Sequence, residues 1–328
     1  MDRMTGLLAV TFLGAMVARA GADEVALDDD TLVGAPATYK NLTFYPLVAR
    51  TAPVGPALGQ YLVLDEGLKS GAVQVLEKGE GEVNRLTLKN RAQKPLFVMS
   101  GEVVIGGKQD RIIGKDSIIG AGETVDVPVY CVEHGRWTES GDGRRFRSAG
   151  SMADTQVRKQ AAIKDSQSDV WREVAAKNGK RGLENQTGTY RQVATGGDVA
   201  KAIQPYSEKL DPALAAPLVV GMVVALNGRV VGVEQFAAPA LFAKLRGKLA
   251  RSYYVDALDQ PVQAGATQPT VADMRGFVAK TAGGKEDVVV EHKAARTTRQ
   301  EGKGVVGSKV VDEAAPAKPV YKAVYTNE

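Results

Sequence analysis

The sequence predicts an α+β fold: a β-rich half of antiparallel, sandwich-like sheets, then helices and a hairpin-plus-helix half. Three observations predict it. Residues 40–137 break into short β-rich runs separated by Gly, Pro, Asn and Lys clusters. Residues 169–260 place apolar side chains at three- and four-residue spacing. Asn227-Gly228 sits between two apolar runs, LVVGMVVAL and RVVGVEQF, as a two-residue type I′ hairpin turn requires. At 328 residues the chain is long enough for one large domain or two ordinary ones. Its 44% apolar and 24% charged residues exclude wholesale disorder, and 36 Gly with 14 Pro favour turns and short strands.

Composition also excludes chemistries. A net charge of +4 is too small to argue for nucleic acid. Cys131 is the single cysteine, which rules out an intramolecular disulfide and any multi-thiolate zinc or iron–sulfur site. His134 and His292 are too few for a histidine-rich metal centre, so neither a metal nor a cofactor is expected.

In chain order, residues 1–22 read as a secretory signal peptide. An uncharged apolar run from Met4 to Ala18 follows Arg3, and Ala18-Arg19-Ala20 fits small-x-small cleavage. The run is about 15 residues, short of the roughly 20 that span a bilayer. Nothing later is apolar enough to cross, so the expected product is exported to a periplasmic or extracellular location, with no transmembrane segment once the signal is removed. Residues 39–137 form the β-rich half, with strands expected at 42–48, 60–64, 72–76, 83–88, 95–99, 103–105, 117–119 and 123–132. Residues 138–168 read as a polar connector ending in a solvated helix. Residues 169–260 form the second half. There a helix capped by Ser168 or Asp169 buries Trp171, Val174 and Ala175, and another opens at Asp198 and is kinked or ended by Pro205. After the hairpin, Pro239 starts a helix with Phe242, Leu245, Leu249 and Tyr253 on one face. Residues 261–328 are expected to be a weakly structured extension, with a weak helix near 271–280 and strands near 288–290 and 320–324.

Chemistry-bearing side chains concentrate in Ser100-Gly101-Glu102, Gly106 to Arg111 and Cys131 to Trp137. Alternation along the strand ending at Glu133 puts Val125, Val127, Val129, Cys131 and Glu133 on one face, and the valines mark it as the core side. Glu133 then points inward and needs a cation from among Lys108, Arg111 and Arg136. Glu102, between apolar runs, is equally misplaced for a solvated charge. Two readings stand. In one, Lys108, Gln109, Arg111, Arg136 and Trp137 surround an anionic small molecule or an acidic group of a partner, with guanidinium forks suited to carboxylates and phosphates. In the other, Glu102 and Glu133 divide acid and base roles in a hydrolase or transferase, Cys131 being a spare nucleophile. Against both stands a purely structural ion network.

The runs YLVLDEGLKSGAVQVLEKGEGEVNRLTLKNRAQKPLFVMSGEVVIGGKQDRII and AGETVDVPVYCVEHGRW, with GMVVALNGRVVGVEQFAAPALFAKLRGKLARSYYVDAL, resemble the ARG and Rhodanese-Phosphatase-superfamily-associated protein domain family, where ARG denotes ADP-ribosylglycohydrolase. The likeness spans Tyr39 to Leu258, and its specific elements are GKQ-x-R and C-V-E-x-G-R-W. The family pattern reads Gly-Ala-Lys-Gln-Asn-Arg where this chain has Gly106-Gly107-Lys108-Gln109-Asp110-Arg111, so Asp110 adds a negative charge. The resemblance implies a link to nucleotide-derived ligands and no particular reaction. The binding reading is preferred, because the polar set is present without a recognised catalytic arrangement.

Overall fold

Six short strands close into a barrel in the order Thr124–Cys131, Arg85–Asn90, Val73–Glu77, Arg145–Met152, Glu102–Gly106, Arg111–Ile113 in the computed structural model of the protein. Residues 25–51, 60–141, 143–183 and 186–327 are described. The signal peptide expected at 1–22 lies outside them. Alternation fills the barrel. Val73, Val75, Leu86, Leu88, Val104 and Ile113 share one apolar cluster with Val127, Val129 and Phe146. Leu96, Val98 and Ile119, from a three-stranded sheet of Leu62–Val63, Leu96–Val98 and Ser117–Ile119, join that cluster and close one end. The opposite end carries Gly106 to Arg111 and Cys131 to Trp137.

The second body is a nine-stranded antiparallel sheet. Its order is Thr31–Val33, Leu42–Ala49, Val219–Leu226, Arg229–Phe236, Tyr321–Thr326, Val305–Asp312, Ala295–Gly302, Lys285–His292, with Ala37–Tyr39 paired off Leu42–Ala49. The hairpin forms as its dipeptide demands: Asn227 has φ 47° and Gly228 φ 76°, values that an ordinary side chain resists. A Cβ on Gly228 would also strike the Thr267 carbonyl, so the turn is covered as well as tight. Helices Gly197–Leu214 and Pro239–Leu258 cover one face of the sheet, with Phe242, Leu245, Leu249 and Tyr253 all buried. Phe44 stacks on Tyr254 at 5.7 Å and meets Tyr253 edge-on at 6.3 Å, contacts worth about 0.5–1.5 kcal/mol each beyond their buried area. Helix Val271–Ala279 covers the other face through Met274 and Phe277. One cluster joins Phe97, Val103 and Ile112 of the first half to Ile203, Leu245 and Tyr321 of the second, so the two halves share a core.

The α+β class and the antiparallel, strand-rich first half hold, and six expectations change. Residues 145–152, expected within a polar connector, form a barrel strand in spite of their few apolar side chains; Phe146 joins the barrel cluster and Met152 the core shared with the sheet. The helix expected to be solvated, Thr155–Ala162, buries Val157, Arg158, Lys159 and Ala161. Helix Gln167–Lys180 is capped by Ser166 and turns Val170, Val174 and Lys177 inward while Ala175 stays exposed. Helix Gly197–Leu214 runs through both Pro205 and Pro212. Leu64–Ser70, whose first residue falls in an expected strand, is a short helix ended by Gly71 at φ 74°.

The largest difference concerns residues 261–328, expected to be weakly structured. They supply helix Val271–Ala279 and four of the nine strands, and they bury Tyr321, Val310 and Ala323. Their polar alternation reads weakly because Lys285–His292 is an edge strand with a largely wet face. Ending the chain after Ala282 would strip these side chains from the core and leave Arg229–Phe236 unpaired along one side. The truncated chain is expected to lose its cooperative thermal transition in circular dichroism. An unchanged transition would return this segment to the status of a tail.

Candidate functional site

The two motif stretches meet at this end of the barrel and interlock. Strand pairing sets Cys131 opposite Arg111. The Gln109 side chain donates to the Glu133 carbonyl (2.9 Å), and the Asp110 N–H donates to Glu133 Oε2 (3.0 Å). Arg136 then ties the two together. Its Nε donates to Glu133 Oε2 (2.8 Å), its Nη1 to the Gly107 carbonyl (2.8 Å) and its Nη2 to Asp110 Oδ1 (3.1 Å). Thr187 donates to the other Glu133 oxygen (2.8 Å), and Arg191 reaches Asp110 Oδ2 (3.1 Å). Gly107, at φ 49°, permits this knot, since a Cβ there would collide with Phe146 and Glu77.

Glu133 therefore points inward, as alternation requires, with Arg136 as its cation. Burial alone would raise its carboxyl, but the hydrogen bonds from Arg136, the Asp110 N–H and Thr187 outweigh burial and leave it below the usual carboxylate range. Asp110 is raised, by burial first and by Glu133 second. Cys131 is fully buried and donates to the Glu133 carbonyl (3.3 Å), and burial pushes its thiol up in spite of Arg111. Such a thiol is a poor nucleophile. His134 packs edge-on against Trp171 at 4.4 Å. Arg111 lies inside the barrel at 0% exposure, with Nε and Nη2 unpartnered among the described residues. Lys108 donates to the Glu80 carbonyl (2.6 Å) and stands over the half-exposed Trp137 ring. Most of the expected ligand-binding set is thus taken up in bonds within the protein.

Glu102 belongs elsewhere. It begins the strand that Gly106 ends, roughly 13 Å away at four residues' rise. There it pairs with Lys248, which also bonds Asp65 (2.8 Å), and accepts the Met99 N–H (2.7 Å). Burial holds its carboxyl above the usual range against the pull of Lys248. Its partner was legible in part: Lys248 interrupts the apolar face between Leu245 and Leu249. Neither Glu102 nor Glu133 lines the groove or the chamber described below.

Open space lies instead beside helix Thr155–Ala162 and the large sheet. A groove of about 1070 Å³ runs between the Asn227-Gly228 turn, residues 260–280, Lys303-Gly304 and the start of that helix. Lys159, Arg229, Lys280 and Lys303 line it against the single carboxylate of Asp273, which already accepts from the Thr270 N–H and hydroxyl. Gln156, Gln260, Gln263 and Gln268 add amides. Behind it, sharing Thr155, Lys159 and Tyr325, is a chamber of about 30 Å³ bounded by Ser100, Asp116, Arg158 and Arg299. Sequence reasoning missed Lys159, Lys280, Lys303 and Arg299, because they come from segments read as connector and extension.

A third cluster anchors the helix at the groove. Asp154 caps it, accepting from the Gln156 and Val157 N–H groups. Lys177 joins Asp154 (3.0 Å), Asp256 (3.4 Å) and Asp259 (2.6 Å), and Arg181 joins Asp259 (2.7 Å). Asp256 accepts from the Thr155 N–H (3.1 Å). Three carboxylates against two cations leave one disfavoured: burial, with Asp154 beside it and against Lys177, pushes Asp256 up to about 7.

Two predictions follow from these groups. Glu133→Gln should cost about 1.5–3 kcal/mol at neutral pH, the range for hydrogen bonds to a charged group. Because the Glu133 carboxyl is lowered, its contribution is present above the unfolded pKa, and wild type should lose this advantage as pH falls through the folded one. Asp256 has the opposite sign. Its raised carboxyl takes up a proton on folding, so its contribution is full below pH 3.8 and disappears as pH rises towards about 7. Asp256→Asn should flatten that decline relative to wild type in urea titrations across the interval.

No curated relative and no solved structure matches the chain. A family model does, over residues 30–323, which takes in the barrel and nearly all of the large sheet. The chain belongs to the ARPP-1 family, the ARG and Rhodanese-Phosphatase-superfamily-associated Protein domain.

Proposed function

We propose that the chain is an exported binding module for an anionic small molecule, held in the groove beside helix Thr155–Ala162. The observation that carries this reading is the charge of the groove: four cations against one carboxylate that is already occupied by a helix cap. Walls of one sign concentrate field lines and draw oppositely charged ligands. At about 1070 Å³ the groove is at the upper end of small-molecule sites, and its amides offer paired donors and acceptors to a polar body. The barrel-end cluster supports the reading less well, because Arg136 and Gln109 are engaged within the protein. Export rests on the leader read in residues 1–22.

Thermal melting of the protein against nucleotides, sugar phosphates and dicarboxylates tests the proposal. A ligand that binds only the native state stabilises by about 2.7 kcal/mol at a hundred times its Kd. The shift should weaken at least about tenfold in apparent affinity in Arg229→Ala/Lys303→Ala, one decade being about 1.4 kcal/mol, and it should fall with added salt. No shift with any of these anions, or a shift that the double variant leaves intact, would remove the groove as the site.

A further inference from the structure

The exposed cations of the groove fall into two groups whose spacing the backbone fixes. Lys303, in the turn between Ala295–Gly302 and Val305–Asp312, donates its N–H to the carbonyl of Lys280, just past helix Val271–Ala279 (3.3 Å). Two lysines thus leave neighbouring points of the chain and line the same groove. Lys280 also stands over the Phe277 ring at 5.8 Å. Arg229 forms the other group and follows directly on the Asn227-Gly228 turn. All three side chains are exposed, and among the described residues no carboxylate pairs with any of them. Lys159, the remaining cation of the lining, is buried and already engaged.

Strand register sets the distance between the two groups. Gly232 pairs with Tyr325 and Val305 with Thr326, and the Asn327 N–H donates to the Gly304 carbonyl (3.0 Å). Arg229 and the Lys303 turn therefore lie at the same end of the sheet with only Tyr321–Thr326 between their strands. Two strand spacings of about 4.8 Å put their backbones roughly 10 Å apart.

The turn that carries Arg229 is pinned. The Asn227 amide donates to the Pro261 carbonyl (3.1 Å) and accepts the Gln263 N–H (2.9 Å), and Gln268 of the same segment accepts from the Tyr45 hydroxyl (3.2 Å). Cations set by backbone pairing are in place before a ligand arrives, which lowers the ordering cost of binding. The rest of the lining is mostly amide and apolar, including Gln156, Gln263, Gln268, Ala272 and Phe277, and suits an uncharged middle.

An exposed ammonium or guanidinium holds a single anion weakly, because solvent and salt screen the contact. A ligand that reaches both groups makes its second contact at high effective concentration, provided its length matches the span. Charge distinguishes the two ends. A pair of ammoniums matches a phosphomonoester, which carries about −1.5 to −2 at neutral pH, and a guanidinium fork matches a planar carboxylate.

We propose that the groove selects an elongated organic anion charged at both ends, with a phosphomonoester at Lys280 and Lys303 and a carboxylate at Arg229, and that it discriminates by the distance between them. This selectivity presupposes that the groove is the anion site and adds to it a length and two end groups.

Calorimetric titration of the full chain with 6-phosphogluconate, 3-phosphoglycerate, glucose 6-phosphate and gluconate tests it. The first carries both groups on a six-carbon chain, the second carries both on three carbons, and the last two carry one each. 6-Phosphogluconate should bind at least tenfold tighter than any of the others. Arg229→Gln should reduce it to the affinity of glucose 6-phosphate and leave glucose 6-phosphate itself unchanged, whereas Lys280→Gln/Lys303→Gln should weaken both. Equal affinity for the six- and three-carbon acids overturns the proposal, and so does an Arg229→Gln effect of the same size on glucose 6-phosphate. Suberate, a dicarboxylate of comparable length, would overturn the assignment of the ends by binding as tightly as 6-phosphogluconate. Anions that bind regardless of length and are lost in Arg229→Ala/Lys303→Ala would leave the groove as the site and remove its length selectivity; binding by none of the probes removes both.

Discussion

The architecture depends on one buried carboxylate. Glu234 lies in the centre of the large sheet at 0% exposure and accepts from Arg158, Tyr253, Tyr321 and Tyr325. Those donors come from the short helix, the long helix that crosses the sheet, and the last strand. The Arg158 stem in turn lies against Gly101 of the barrel, a position at φ 86° where any Cβ would collide with it. One charge thus binds four parts of the fold. Desolvating it is costly, and only a full set of donors offsets that cost; removing one partner from such a pair leaves a buried charge unanswered, at roughly 3–5 kcal/mol. The barrel and the sheet can therefore hardly shift separately, which is why the chain reads as two halves and folds around one core.

Local signals in the sequence carried the local structure. Alternation turned Glu133 inward, Asn227-Gly228 set the hairpin, and three- to four-residue spacing set the buried face of helix Pro239–Leu258. What they could not carry is pairing at a distance. Glu102 meets Lys248 across 146 residues, and Glu234 meets Arg158 across 76. Periodicity says that a charge faces the core and is silent on which charge answers it. The strand at 145–152 was hidden for a different reason. Its neighbours in the barrel supply the apolar surface, so RFRSAGSM needs only Phe146 and Met152 to be buried.

The residues that made the sequence distinctive are largely those that lock the barrel end. Gln109, Asp110, Glu133 and Arg136 bond one another and the backbone around them, each new bond lowering the penalty of burying the others. Arg136 and Glu133 so engaged have little capacity left for a ligand. Open space lies instead at the groove and the chamber, both of which border helix Thr155–Ala162.

Helix Thr155–Ala162 stands on both sides of this division. Its first turn lines the groove through Thr155 and Gln156, its middle reaches Glu234 through Arg158, and its cap is held by the Lys177 cluster. A ligand that orders the groove acts on the same eight residues that join the barrel to the sheet. Binding and the integrity of the core are then linked equilibria: what strengthens the helix in its seat strengthens the groove, and the reverse holds by thermodynamic necessity.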